Sequence, residues 1–306
     1  MIQEMKDNYP KVSLGKICRL FGITRQAYYQ HYWMEEDISI EHELVIARIV
    51  QIRKHHRHMG GRKIYELIAP FLMEHQIKMG RDALFDLLAA HKLLVRRKRR
   101  KLCTTQSFHW LRKYPNLIKD FIPAAPNELW VSDITYWKVS NGYLYISFIT
   151  DAYSHKIVGY HVSESLEAVQ TLKALQMALA ALEGQPCHLI HHSDRGIQYC
   201  SAEYVKLLED HNFKISMTQN GDPRENAIAE RLNGIIKHEY LEDSKIDNLE
   251  EADKVLSHSV KLYNQQRPHM SIGNLLPDQV HQLNIKTEKL WKNSWKKTTL
   301  VNPLQD

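Results

Sequence analysis

The chain has 306 residues, a net charge of +6, 43% hydrophobic residues and four cysteines. That length suits two or three domains with real cores, and the basic excess favours an anionic partner. Cys18, Cys103, Cys187 and Cys200 form no close pair, which argues against a disulfide framework and a structural zinc site. With no stretch apolar enough to span a bilayer and no signal-peptide pattern, the expectation is a reduced, cytoplasmic protein with no membrane partner.

Residues 1–38 hold a helix-turn-helix candidate. Leu14, Ile17, Cys18 and Phe21 fall at helical spacing. Gly22 would stop that helix, and Thr24 is a good N-cap for a second one carrying Arg25, Gln26, Tyr28 and Tyr29. The same pattern also suits an ordinary helical hairpin. In the DNA-binding reading, Arg25, Gln26 and Tyr28 are the contacts.

Residues 39–101 read as a basic helical region, with helices over 41–58, 62–74 and roughly 81–94. The last has Leu84, Leu87, Leu88 and His91 on one face. It gives way to RRKRRK: Arg96, Arg97, Lys98, Arg99, Arg100 and Lys101. Six adjacent cations make either a solvated linker or a phosphate contact, and the neighbouring acidic stretch favours phosphate. His55, His56 and His58 suggest either a metal or a basic, partly exposed helix end; without a cysteine pair downstream the second reading is preferred. A proline-bearing connector, 102–126, marks the domain boundary.

Residues 127–245 switch to strand patterning. Leu129 to Val139, Tyr143 to Thr150 and Lys156 to Ser163 read as three antiparallel strands, the first two joined at Asn141-Gly142. A helix over Glu164 to Leu182 would bury Leu166, Val169, Leu172, Leu175, Leu179 and Leu182, and end at Gly184 and Pro186. A short apolar strand at Cys187 to His192, a helix near Ala202 to Asp210, a strand around Phe213 to Ser216 and a long helix complete the order. The expected fold is α/β, a mixed five-stranded sheet with helices on its faces. Residues 246–306 would supply a C-terminal helix and a basic tail.

Three acids carry the chemistry. Asp133 lies mid-strand in WVSDITYW, where an aspartate needs a strong partner, an arginine or a metal. Asp194 lies just past the C-terminal end of a parallel strand, where open α/β sheets place ligands, though it could also be a turn residue before Gly196. Glu230 lies on the long helix, thirty-five residues intervening after Asp194. Its neighbour Glu225 is explained as a capping box with Asp222 and Pro223. Ile228, Leu232, Ile235 and Ile236 form the apolar stripe there, while Asn226, Glu230, Asn233 and Lys237 follow a polar face. Asn226, Arg231, Asn233 and Lys237 are candidate DNA contacts. Three acids converging call for hard divalent cations, and two magnesium ions between carboxylates suit phosphodiester chemistry without a protein nucleophile.

WVSDITYW, HHSDRGIQY, NGDPRENAIAERLNGIIKHEY and YNQQRPH resemble, in order, the blocks of the DDE transposases of bacterial insertion sequences. The closest type is the IS-three family, whose catalytic frame is similar to retroviral integrases. The resemblance implies an RNase H-like core with Asp133, Asp194 and Glu230 binding two Mg²⁺, for which Mn²⁺ can substitute. It implies water attack at the element's end, then strand transfer by the freed 3′-OH. The implied partners are double-stranded DNA (terminal inverted repeats and target), a homo-oligomer at least dimeric, and an upstream-frame protein to which many members are fused. Tyr263, Asn264, Arg267 and His269 match the tail block, where packing is at least as good a role as DNA contact. Lys286, Lys289, Lys292, Lys296 and Lys297, interleaved with Trp291 and Trp295, would grip DNA or form a mobile end. Two rival readings are a non-catalytic DNA-binding regulator and a plain RNase H-type nuclease.

Overall fold

The structure, a computed structural model, describes residues 1–95, 110–140, 142–182, 188–219, 223–244, 246–288 and 290. The run Arg96 to Lys101 lies outside them, as do Asn141, Gly184, Pro186, Cys187, Asp222 and the tail lysines from Lys289 onward. The chain divides into two compact units, Met1–Lys54 with Leu67–Leu94, and His55–Glu66 with Val95–Asp306.

The first unit is helical. Helix α1 spans Ile2–Asn8 and α2 spans Leu14–Leu20. Gly22 takes a φ of 71°, and the Ile23 N–H donates to the Cys18 carbonyl, so α2 ends in the left-handed turn only glycine adopts freely. Thr24 then caps α3, its Oγ1 accepting from the Ala27 N–H at 3.0 Å. Helix α3 runs from Arg25 to His55 without interruption. The expected second helix of the helix-turn-helix and the expected helix over 41–58 are therefore one element passing straight through residue 38. No glycine or proline lies between Arg25 and His55 to break it. Helices α4 (Gly61–Glu74) and α5 (Arg81–Ala90) follow, and α5 buries Leu84, Leu87 and Leu88 while His91 stays exposed at its C-cap.

The second unit is a three-layer α/β/α arrangement on a five-stranded sheet of order β3-β2-β1-β4-β5. Strands β1 (Leu129–Val139), β2 (Gly142–Asp151) and β3 (Ile157–Ser163) are antiparallel. Strands β4 (Ile190–Ser193) and β5 (Lys214–Met217) add on in parallel. Alternation along the strands sorts side chains between two faces. Trp130 and Ile149 pack with α6 (Ala168–Ala180) and α7 (Ala202–Asp210). Trp137, Ile146 and Phe148 pack with α8 (Ala227–Ile236) and α9 (Leu249–Gln266). Helix α10, Pro277–Leu283, closes the described part.

Helix α6 differs from expectation. It is shorter and buries Thr171, Ala174, Leu175 and Ala178, leaving Val169 47% exposed. The cause is Gly159 on β3, where an added Cβ would meet the Ala174 carbonyl oxygen at 2.2 Å and the Ala178 Cβ at 2.9 Å. Helix and strand approach so closely that only small residues fit between them.

Both sheet edges are covered, which removes the hazard of open strands. On β3, Asn264 of α9 pairs with Ile157 in both directions, accepting its N–H and donating to its carbonyl at 3.0 Å each. On β5, the connector lies alongside: Met217 N–H donates to the Pro115 carbonyl, and Leu117 N–H to Ser216 Oγ. The described part of the expected linker, with Leu111, Tyr114 and Ile118 packed on the core, is thus bound to the sheet.

Candidate active site

Strand pairing brings the first two acids together. In the parallel β1–β4 ladder, Val131 sits beside His192; two steps further along each strand come Asp133 and Asp194. Adjacent strands lie roughly 4.8 Å apart, so these carboxylates emerge side by side. In the antiparallel ladder Asp133 faces Phe148, which puts its side chain on the α8 face of the sheet.

Helix α8 closes the site from that face. Asn233 Nδ2 donates to Asp133 Oδ2 at 2.8 Å, and the Ile134 N–H donates to Oδ1 at 2.9 Å. At the N-terminal end of the same helix, Asn226 Nδ2 donates to the Ser132 carbonyl at 2.9 Å. Ser132 Oγ in turn bridges the Phe148 carbonyl and the Tyr199 hydroxyl. Asp194 Oδ1 accepts the Gly196 N–H at 2.9 Å, so it performs the turn duty its sequence suggests while standing next to Asp133. A Cβ on Gly196 would crowd that same oxygen at 2.9 Å. Glu230, exposed in the first turn of α8, lies near enough for its charge to act on Asp133.

The electrostatics record the crowding. Burial, then the Asp194 carboxylate, and further the Glu230 carboxylate push Asp133 up to about 8, against the lowering pull of the Ile134 N–H and Asn233. Like charges sharing a site disfavour ionisation. Burial, with Asp194 and Asp133 adding to it, also drives the Tyr199 phenol well above its ordinary value. Among the described residues, the largest charged causes acting on Asp133 are the Asp194 and Glu230 carboxylates.

Among the described residues, no three His, Cys, Asp or Glu side chains close tightly enough to grip an ion on their own. The donor set nevertheless suits a hard cation: two carboxylates act on the Asp133 carboxyl, which is flanked by the buried Asn226 Oδ1 and Asn233 Oδ1, neither of which has a hydrogen-bond partner.

Other expected residues fall elsewhere. Arg25 and Gln26 are exposed at the start of α3, Arg25 over the Tyr29 ring at 5.5 Å, and Tyr28 is half-buried. Arg231 is exposed on α8, and Lys237 is half-buried at the start of a π-helical segment, Lys237–Leu241. Asn226 and Asn233, expected on an open polar face, are 6% and 7% exposed and turned onto β1, because their amides satisfy strand and carboxylate acceptors. The expected capping box of Glu225 involves Asp222 and so lies outside the described residues; the Glu225 carboxylate accepts the Gln219 N–H and ties the exit of β5. The tail block packs: Tyr263, Asn264, Arg267 and His269 are all buried. His56 is no basic helix end. It is 3% exposed, shares a hydrogen bond with the Tyr240 hydroxyl, and burial lowers it to about 4.

Residues 123–223 match the family model described as "Integrase core domain", and residues 211–277 match a second model of the same description. The insertion element IS600 uncharacterized 31 kDa protein of Shigella sonnei is 36% identical over 276 residues, covering 87% of this chain and 99% of that relative. The chain belongs to the integrase-core transposases of insertion sequences. Within this transposase family it is also similar to the transposase InsF for insertion sequence IS3fB of Escherichia coli K12, 34% identical over 179 residues, 58% of this chain and 62% of that one. Among solved structures, the HTLV-2 integrase catalytic core domain in complex with magnesium shares 23% identity at a TM-score of 0.42, over 51% of this chain and 97% of that one. Among the described residues, no helix is long and apolar enough to cross a membrane.

Proposed function

We propose that this transposase is a DDE polynucleotidyl transferase that cleaves DNA at the ends of an insertion sequence and joins the freed 3′-OH to a target strand. The observation that carries the reading is the crowding of Asp194 and Glu230 around Asp133, which with burial pushes its carboxyl up to about 8. A protein tolerates such repulsion where a cation or a reaction uses it.

Asp133, Asp194 and Glu230 would hold two Mg²⁺, with Mn²⁺ as a substitute. When bound, the ions supply Lewis acidity to the attacking and leaving oxygens of an in-line displacement. The chain's own groups set the geometry. Ile134 N–H and Asn233 fix both oxygens of Asp133, and Gly196 N–H fixes one oxygen of Asp194. In the first step water adds at phosphorus at the element's end, and the bond to the 3′ oxygen breaks, which leaves a 3′-OH. In the second, that hydroxyl attacks a target phosphodiester and expels the target's own 3′ oxygen. The joining step conserves the number of ester bonds.

Double-stranded DNA is the partner, both terminal repeats and target, with Arg25, Gln26 and Tyr28 reading DNA from the N-terminal helices and Arg96 to Lys101 meeting phosphates. Bringing two ends together calls for at least a dimer. The experiment is labelled element-end duplex incubated with Mg²⁺ and either the unaltered chain or Asp133→Asn. Nicking plus joining, both lost in the variant, is expected. Nicking without joining would make it a nuclease, and binding without either would make it a regulator.

A further inference from the structure

A second charged cluster begins one residue beyond Glu230. Glu239, in the π-helical segment after α8, gives both carboxylate oxygens to Arg267, which reaches them through Nε at 2.8 Å and Nη2 at 2.7 Å. That fork-to-fork pair is complete and neutral. Lys63, from the start of α4, points its Nζ at the same Glu239 Oε1 from 3.5 Å, and Arg231 acts on Lys63, Glu239 and His269 from α8. Three cations therefore share one carboxylate, and the buried Arg267 engages both of its oxygens at the shortest distances.

We propose that Lys63 and Arg231 form a clamp for a DNA backbone phosphate, seated on the Arg267–Glu239 pair along the helical run that carries Glu230. The inference rests on the transposase reading and names a substrate contact within it.

Four observations support it. First, two positive charges remain unbalanced among the described residues once Arg267 and Glu239 are paired. Second, Lys63 and Glu239 each keep 14% of their side-chain surface, against 1% for Arg267. The Lys63 side chain therefore keeps some exposed surface, whereas that of Arg267 is sealed. Third, burial and then Arg267, with Arg231 adding to them, pull Lys63 down to about 8 despite Glu239; an ammonium so placed gains from one more anion. Fourth, His269 Nδ1, buried in the same cluster, has no hydrogen-bond partner. Location selects DNA as the source of that anion. Arg231 is exposed on α8, the helix that also carries Glu230, so under the transposase reading the anion that reaches it is a phosphate of the bound DNA.

The test is the salt dependence of duplex binding by the full chain. It is measured by fluorescence anisotropy between about 50 and 200 mM salt on element-end and scrambled duplexes. A phosphate contact contributes a slope of about 0.9 in log affinity against log salt and carries no sequence information. Lys63→Met with Arg231→Gln should lower the slope by about 1 and weaken both duplexes equally. Lys63→Arg in place of Lys63→Met should restore the lysine's share. A pure packing role predicts lower thermal stability with an unchanged slope, which would overturn the clamp. Arg231 is exposed, so Arg231→Gln folds in any case, and an unchanged slope in that variant alone also overturns it. If the unaltered chain shows no salt-dependent duplex binding, the transposase reading falls together with the clamp. If it binds and the variants keep its slope, only the clamp falls.

Discussion

Replacing Asp133 by Asn should make the metal-free protein more resistant to unfolding, and increasingly so as pH rises. The sign follows from linkage. Asp133 has an ordinary carboxyl value of 3.8 in the unfolded chain and about 8 in the folded one. The folded state therefore holds a proton that the unfolded state releases. Its contribution to stability is unpenalised below about pH 4, falls as pH climbs from there, and levels off above about 8. A difference of about four pKa units, at 1.36 kcal/mol each, sets a ceiling of roughly 6 kcal/mol. The side chain is half-buried rather than sealed, so solvent screening brings the expectation to about 2–3 kcal/mol at pH 8. Asparagine can accept only one of the two bonds from Ile134 and Asn233 with its single carbonyl oxygen, a loss of about 1 kcal/mol that does not vary with pH. Urea unfolding in a chelator, on both chains at pH 5 and pH 8, reads the difference. The advantage of Asp133→Asn should grow by about 1–2 kcal/mol between those two values. An advantage that stays constant or shrinks with pH would refute the crowding of the three acids.

Arg267→Ala should cost about 3–5 kcal/mol, since it removes the closest hydrogen-bonded partner of Glu239 while emptying a buried site; denaturant midpoints measure this, and a loss under about 1 kcal/mol would contradict the pairing. Gly159→Val should prevent α6 from seating on β3, because even a Cβ meets the Ala174 carbonyl oxygen at 2.2 Å. Its expected effect is a loss above about 3 kcal/mol or insolubility, seen in the thermal midpoint and in soluble yield.

Much of this fold is legible from patterning. Strand β1 and helix α7 fall on their expected bounds, Thr24 caps where a threonine after Gly22 should, and Asp194 stands just past β4. The misreadings share a cause: sequence shows polarity, whereas burial depends on what arrives opposite. Asn226 and Asn233 look solvated until β1 offers them a carbonyl and a carboxylate. Leu175 is buried as its spacing suggests, but Gly159 draws in Ala174 and Ala178 beside it, and Leu172 and Leu179 are only partly buried. Lys63 gave no signal at all, because its partners lie some hundred and seventy to two hundred residues away in Arg231, Glu239 and Arg267. The continuity of α3 could have been read from its lack of glycine and proline between Arg25 and His55.

The central claim is that Asp133, Asp194 and Glu230 act as one cation site on DNA. Counting bound Mn²⁺ by electron paramagnetic resonance, on the chain with element-end duplex, tests it most directly. The account predicts two ions per active site in the unaltered chain and loss of both when Asp133 and Asp194 become Asn. Equal Mn²⁺ binding by the two chains would contradict it.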